Sequence, residues 1–259
     1  MDNKIVKIKK ILVSQPKPTD VKSPYFDIAE RYGVRIDFRP FIKVEGIPVT
    51  EFRKQKINIL DYSAIIFTAR TAIDHYFRLC EELRIKVPET MKYVCVSESI
   101  ALYLQKYILL RKRKVFYGKN GKLDGLLATL LKHKEEKYLL SVSADVLNDE
   151  LIALLDKNEL NFEKASMYRT VSNDFLPDET FDYDVLIFFS PAGIASLLKN
   201  FPNFEQGGIK IGSLGATTAK AVKDAGLRLD FEAPRPDAPS ITAALEMVMK
   251  ENHKAVSKK

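Results

Sequence analysis

The chain has 259 residues, 46% apolar and 29% charged, and its 41 Lys and Arg outnumber 34 Asp and Glu for a net charge of +7. That length is comfortable for two lobes of roughly 100 to 150 residues each, and no apolar run approaches the roughly 20 residues that span a bilayer, so a membrane-spanning fold is excluded. Cys80 and Cys95 read as reduced packing residues, and His75, His133 and His253 are scattered without a second ligand at metal spacing, so no metal site is expected. No Gly-x-Gly-x-x-Gly and no Walker loop occurs, and no cofactor is expected. The segment Met1 to Lys10 lacks the apolar stretch of a signal peptide, which places the chain in the cytoplasm as an expectation.

Ile11-Leu12-Val13-Ser14 reads as a first buried strand, followed by a Pro-rich turn and an amphipathic helix from about Ser23 to Tyr32 that Gly33 stops. Val34 to Phe38 gives a second strand, and the segment Arg39 to Gly46 loses periodicity and reads as a crossing linker. Then follow a helix at 51–58, strand 63–67, helix 70–84, strand 92–96, helix 98–109, strand 114–117, helix 122–132, strand 137–141, helix 147–157 and strand 161–168. A second linker covers 168–178. Beyond it come strand 184–189, helix 192–200, strand 208–212, helix 216–225, strand 227–231, a last helix from Ser240 to Asn252 and a tail, Lys254 to Lys259, expected to be mobile.

Alternating strands and helices predict parallel sheets covered on both faces. The opening strand and helix are too small to hold a core, so they are assigned to the lobe built after residue 172. The expected fold is α/β: two doubly wound parallel-sheet, flavodoxin-like lobes, residues 1–38 with 172–259 and residues 39–171, joined by a two-stranded hinge that closes around a ligand cleft. Two echoes support the duplication. Asp61 to Ile73 realigns without a gap on Asp182 to Ile194, and Val94-Cys95-Val96-Ser97-Glu98-Ser99-Ile100-Ala101 is answered by Gly212-Ser213-Leu214-Gly215-Ala216-Thr217-Thr218-Ala219.

In such sheets ligands bind at the carboxyl ends of strands, where helix N-termini carry free N–H groups and partial positive charge. Five junctions of this kind offer small or hydroxyl residues: Thr68-Ala69-Arg70-Thr71, Ser97-Glu98-Ser99, Ser141-Val142-Ser143, Ser190-Pro191-Ala192-Gly193 and Gly215-Ala216-Thr217-Thr218. Helix capping alone accounts for any single one. Their recurrence points to an anionic ligand rich in carboxylates or phosphates. Arg70 reads either as a carboxylate partner or as a solvated charge. The basic cluster from Lys106 through Arg111-Lys112-Arg113-Lys114 to Lys119 and Lys122 reads as a solvated helix end, as a field that draws in anions, or as a nucleic-acid surface lacking any reading motif.

At these residues the chain resembles the uroporphyrinogen-III synthase family. Phe188-Phe189-Ser190-Pro191-Ala192-Gly193 is similar to the family's Phe-x-Ser-Pro-x-Gly, Leu214 to Val222 to its Ile-Gly-Pro-Thr-Thr-Ala-x-Ala-Leu, Phe67 to Ala72 to its Phe-Thr-Ser element, and Ala233 to Ile241 to its closing Ala-x-x-Pro-x-x-x-x-Leu. Departures are Ile100 for the Thr of Val-Gly-x-x-Thr-Ala, Ala216 for the Pro of Gly-Pro-Thr, and a loop at Ser141 to Asp145 without the usual glycines. The resemblance implies a cofactor-free lyase that closes hydroxymethylbilane: loss of the terminal hydroxyl as water leaves an azafulvenium cation, attack at the substituted carbon gives a spiro intermediate, and reclosure inverts the last pyrrole. It implies Tyr168 as the acid assisting hydroxyl departure. It implies substrate binding by Thr68, Ala69, Arg70, Ser97, Ser99, Ser143, Ser190, Pro191, Ala192, Gly193, Gly215, Ala216, Thr217 and Thr218. A monomer without nucleic-acid or membrane partners is expected. The alternative is a non-catalytic anionic-ligand-binding or regulatory module of the same duplicated fold.

Overall fold

The computed structural model describes residues 6–145, 149–175 and 181–257. Strand β1 (Lys10–Val13), helix α1 (Pro24–Tyr32) and β2 (Arg35–Phe38) open the chain, followed by β3 (Ile42–Gly46) and a short α2 (Val49–Phe52). Then come β4 (Ala64–Phe67), α3 (Arg70–Glu82), β5 (Lys92–Cys95), α4 (Glu98–Tyr103), β6 (Val115–Tyr117), α5 (Leu123–Leu130), β7 (Tyr138–Ser143), α6 (Asp149–Lys157) and β8 (Phe162–Ser172). The last elements are β9 (Val185–Phe188), α7 (Pro191–Asn200), β10 (Lys210–Leu214), α8 (Ala216–Asp224), β11 (Phe231–Ala233) and α9 (Ile241–Ser257).

The chain forms two compact units, the first from Met1–Lys43 and Val171–Lys259, the second from Val44–Thr170. One sheet has the order β11-β10-β9-β1-β2, and its pairings are parallel. The other has the order β3-β8-β7-β4-β5-β6, with parallel pairing from β8 through β6. The α/β class of doubly wound parallel sheets is borne out. Every residue of β4, β7 and β9 is buried, as expected where helices cover both faces of a parallel sheet. Phe67, Tyr76 and Phe188, each 0% exposed, anchor the layers at roughly 1.5–3 kcal/mol per large apolar side chain removed from water.

The sequence echoes acquire a spatial meaning here. β4, β5 and β6 fill in their sheet the slots that β9, β10 and β11 fill in the other, while β7 and β8 stand where β1 and β2 stand. Apart from β3, which the second sheet adds at its edge, both sheets share one spatial order and differ in where the chain enters it. Because Ile11 lies beside Val185 and Tyr138 beside Ala64, Ile11 corresponds to Tyr138 and Ser14 to Ser141, a third correspondence that the sequence comparison missed.

Several boundaries depart from expectation. Ile42–Gly46, read as irregular linker, is a strand because β8 offers it a hydrogen-bonding edge, and β8 runs on through Tyr168 to Ser172. Helix α4 stops at Tyr103 and a 3-10 turn takes over. β11 begins only at Phe231; Leu227 and Leu229, read as strand, pack on the core from a loop that Gln206 holds by a hydrogen bond to the Arg228 carbonyl at 2.9 Å. α9 continues to Ser257 in place of a tail beginning at Lys254, with Tyr32 edge-on to His253 at 6.3 Å. The helix expected over 147–157 is present from Asp149, the first described residue there; 146–148 lie outside the described residues, as do 176–180 of the second linker.

Candidate active site

A doubly wound sheet opens a crevice where neighbouring strands send their connections in opposite directions. In the second unit this point lies between β4 and β7; in the first it lies between β1 and β9. Each predicted junction sits at or beside one of these points.

In the second unit, β4 ends in Thr68 and Ala69, and α3 starts at Arg70. No side chain caps α3, so the N–H groups of its first positions have no intrahelical acceptor. Arg70 is exposed, with its guanidinium 5.4 Å from the Tyr103 ring centroid. On the other side of the crevice β7 ends in Ser143, which pairs in register with Tyr168 across a bulge after Val142. The connection after β7 is clamped along β8: the Ala144 N–H donates to the Tyr168 carbonyl at 2.8 Å and the Thr170 N–H to Asp145 Oδ2 at 2.6 Å. Ser141, fully buried, donates to the Ala72 carbonyl at 3.3 Å and so fastens the first turn of α3 to β7. The structure therefore brings Thr68, Ala69, Arg70, Ser143 and Tyr168 to one carboxyl edge. Burial raises the Tyr168 phenol above its usual value near 10, and the group stays protonated through neutral pH. Beside it stands His75, whose imidazole burial and the Arg78 charge hold below the usual histidine value.

Ser97 and Ser99 lie one strand outward, after β5, with their hydroxyls 3.1 Å apart. Ser97 occupies the cap position of α4 without bonding a helix N–H. Glu98 accepts from the Tyr117 hydroxyl at 3.0 Å. The turn after β6 passes close by, where a Cβ on Gly121 would meet that of Ser97 at 3.7 Å.

In the first unit Ser190 does cap its helix, its Oγ accepting from the Gly193 N–H at 3.3 Å. Pro191 has no N–H to offer, which leaves Ala192 as the unbonded donor of that turn. Gly193 is packed so tightly that a Cβ would stand 3.2 Å from the Phe188 ring and 3.9 Å from Ser14 Oγ. Ser14 thus belongs to this crevice; its signal in the sequence was only a hydroxyl at the end of a buried strand. One strand outward, Gly215 has φ +86° and donates its N–H to the Ala233 carbonyl at 2.7 Å. Ala216, Thr217 and Thr218 follow as the first helical positions, whose N–H groups lack intrahelical acceptors. Thr217 is exposed and Thr218 only 1% exposed, so the two hydroxyls face different surroundings. The loop after β11, bonded to Gly215 through Ala233, brings Arg235 to the same edge, a cation the sequence reading left out of its site.

Of α3, α4, α7 and α8, whose cap positions are described, only α7 is capped by a side chain, so capping does not account for the hydroxyls of Thr68 and Ser97. Three members of the basic cluster are paired: Lys106 meets Asp74 at 2.9 Å, and Lys114 and Arg111 share Glu89 at 2.6 and 3.4 Å. Among the described residues no His, Cys, Asp and Glu group has metal-binding geometry, and no helix is long and apolar enough to cross a membrane.

Paired doubly wound units, each with hydroxyls and free helix N–H groups at the carboxyl edge of a parallel sheet, define a two-unit α/β protein with a candidate ligand edge in each unit. The family profile of uroporphyrinogen-III synthase HemD matches residues 24–243. The chain belongs to this family, and its reaction is that of a cyclising lyase of tetrapyrrole biosynthesis acting on a small tetrapyrrole. The fold is similar to that of uroporphyrinogen-III synthetase from Helicobacter pylori, at 17% identity over 94% of this chain and 100% of that one, TM-score 0.61. It is also similar to a mutant uroporphyrinogen III synthase from Thermus thermophilus, at 15% identity over 95% and 99%, TM-score 0.50. No curated protein sequence matches the chain.

Proposed function

We propose that Tyr168 donates the proton that lets the terminal hydroxyl of hydroxymethylbilane leave as water, and that the carboxyl-edge residues hold the acetate and propionate groups of the chain while the ring closes. The observation that carries this reading is the strand register that sets Ser143 beside Tyr168, next to the uncapped start of α3. A phenol kept protonated by burial is able to donate to a leaving oxygen, and the cation that forms must meet the substituted pyrrole carbon before water does. Thr68, Ala69, Arg70, Ser97, Ser99 and Ser143 are the carboxylate-binding residues of the second unit in this reading. Ser190, Pro191, Ala192, Gly193, Gly215, Ala216, Thr217 and Thr218 are those of the first. Apart from Pro191, which fixes the backbone at the start of its helix, each donates through a hydroxyl, a guanidinium or a free helix N–H, or lets the ligand approach by being small. In this reading the enzyme is a cytoplasmic monomer.

The test is to supply hydroxymethylbilane to the purified protein, oxidise the product and resolve the porphyrin isomers. The type III isomer is expected, and type I alone at ample enzyme refutes the reading. Tyr168→Phe should lower turnover with little change in thermal stability; wild-type turnover in that variant removes Tyr168 from the chemistry.

A further inference from the structure

Tyr168 is not alone on its strand. The His75 imidazole, from α3, lies almost parallel to the phenol, with centroids 5.5 Å apart and planes 18° apart. Its Nδ1 accepts from Arg78 Nε at 3.2 Å. An accepting Nδ1 carries no proton, so the ring is neutral with its hydrogen on Nε2. Arg78 is itself held on several sides. One guanidinium nitrogen donates to the Ile47 carbonyl at 2.8 Å and lies 3.4 Å from the carbonyl of Met167, the residue before Tyr168, and another pairs with Glu82 at 2.8 Å. Gly46 rests against the guanidinium where any Cβ would overlap it. The imidazole is thereby fixed by the same backbone that carries the tyrosine.

We propose that His75 is a positioning residue for Tyr168: Arg78 orients the imidazole, and the imidazole face holds the phenol in the orientation that donates to the leaving hydroxyl. This rests on the reading of Tyr168 as the proton donor. A half-buried phenol has several side-chain orientations open to it, and a parallel aromatic neighbour biases that choice by roughly 2- to 10-fold. The effect falls on the chemical step. In the same reading the substrate carboxylates are held by hydroxyls and helix N–H groups that His75→Ala leaves in place, so affinity is untouched.

The experiment is a double-mutant cycle on turnover, with His75→Ala, His75→Phe, Tyr168→Phe and the His75→Ala, Tyr168→Phe double variant. His75→Ala should lower kcat about 3- to 10-fold and leave KM within about twofold, in keeping with the loss of one ring contact. His75→Phe, which keeps a flat ring but gives Arg78 Nε no acceptor, should recover kcat in part, above His75→Ala and below wild type. In the Tyr168→Phe background His75→Ala should cost nothing further. Wild-type kcat in His75→Ala, an undiminished loss in the Tyr168→Phe background, or no recovery in His75→Phe overturns the inference while a slow Tyr168→Phe leaves the tyrosine's role standing. Wild-type turnover in Tyr168→Phe overturns both. Should His75→Ala fail to fold, nitrogen-15 spectra of the wild-type imidazole decide at neutral pH: an Nε2–H tautomer supports the arrangement, and an Nδ1–H or doubly protonated ring overturns it.

Discussion

Gly215 offers a clean test of how the second echoed junction is held. Its φ of +86° with ψ 147° lies in a region that residues with a Cβ avoid, and nothing stands within 4 Å of where a Cβ would be. Gly215→Ala therefore meets no neighbour, and its cost is backbone strain alone, of order 1–3 kcal/mol. Alanine also narrows the unfolded ensemble, a compensation of about 0.4–1 kcal/mol, which leaves a net loss of about 1–2 kcal/mol. For a chain of this size that is a fall in Tm of about 2–8 °C. The assay is calorimetric unfolding beside Gly208→Ala, whose Cβ also meets nothing and whose φ is ordinary, so that its Tm should not fall. An unchanged or raised Tm in Gly215→Ala would refute the argument. If the peptide relaxes into an ordinary conformation without loss, the bond from its N–H to the Ala233 carbonyl is not what shapes the junction.

Thr217 and Thr218 should separate in their effects, because one is exposed and the other buried: Thr217→Ala should raise KM at unchanged Tm, and Thr218→Ala should lower Tm; equal behaviour of the two in both assays would contradict the burial difference. The folded-state value of His75 is depressed, so between the usual histidine value of about 6.5 and that lower value the unfolded chain binds the extra proton and the folded chain does not. Stability to urea should accordingly drop as pH falls below about 6.5, and His75→Phe should flatten that slope; an identical slope in the variant would exclude His75 as its source. Burial pushes the thiol of Cys80 up to about 11 and that of Cys95 up to about 12, so a thiol-disulfide reagent at neutral pH should label neither in the folded protein and both in denaturant. Rapid labelling of either in the native state would show that its side chain opens to solvent.

Local pattern determined a good deal of this chain. Apolar runs such as Ile65-Ile66-Phe67 and Leu186-Ile187-Phe188, each followed by a helical period, are enough to dictate buried parallel strands with covering helices, because a strand hidden on both faces has no polar side to show. The hydroxyl junctions were equally legible, since they mark the point where strand period changes to helix period. Ile42–Gly46 reads as linker and not as strand although Ile42-Lys43-Val44-Glu45 alternates apolar and polar: the run is short and lies between Pro40 and Gly46, and what makes it a strand is the edge of β8. Leu227 and Leu229 misled for the opposite reason, being apolar enough for a strand while the first strand-pairing residue is Phe231.

The sequence by itself determined most of the strands and helices, that two similar units exist, and which strand ends carry hydroxyls. Only the tertiary structure decided the order of strands in each sheet, and with it the placing of Ser14 against the Ser190 turn and of His75 against Tyr168. The physical reason is that periodicity reports how one segment meets its own layer, whereas strand order and ring stacking arise from contacts between residues far apart in the chain, whose free energy no local pattern records.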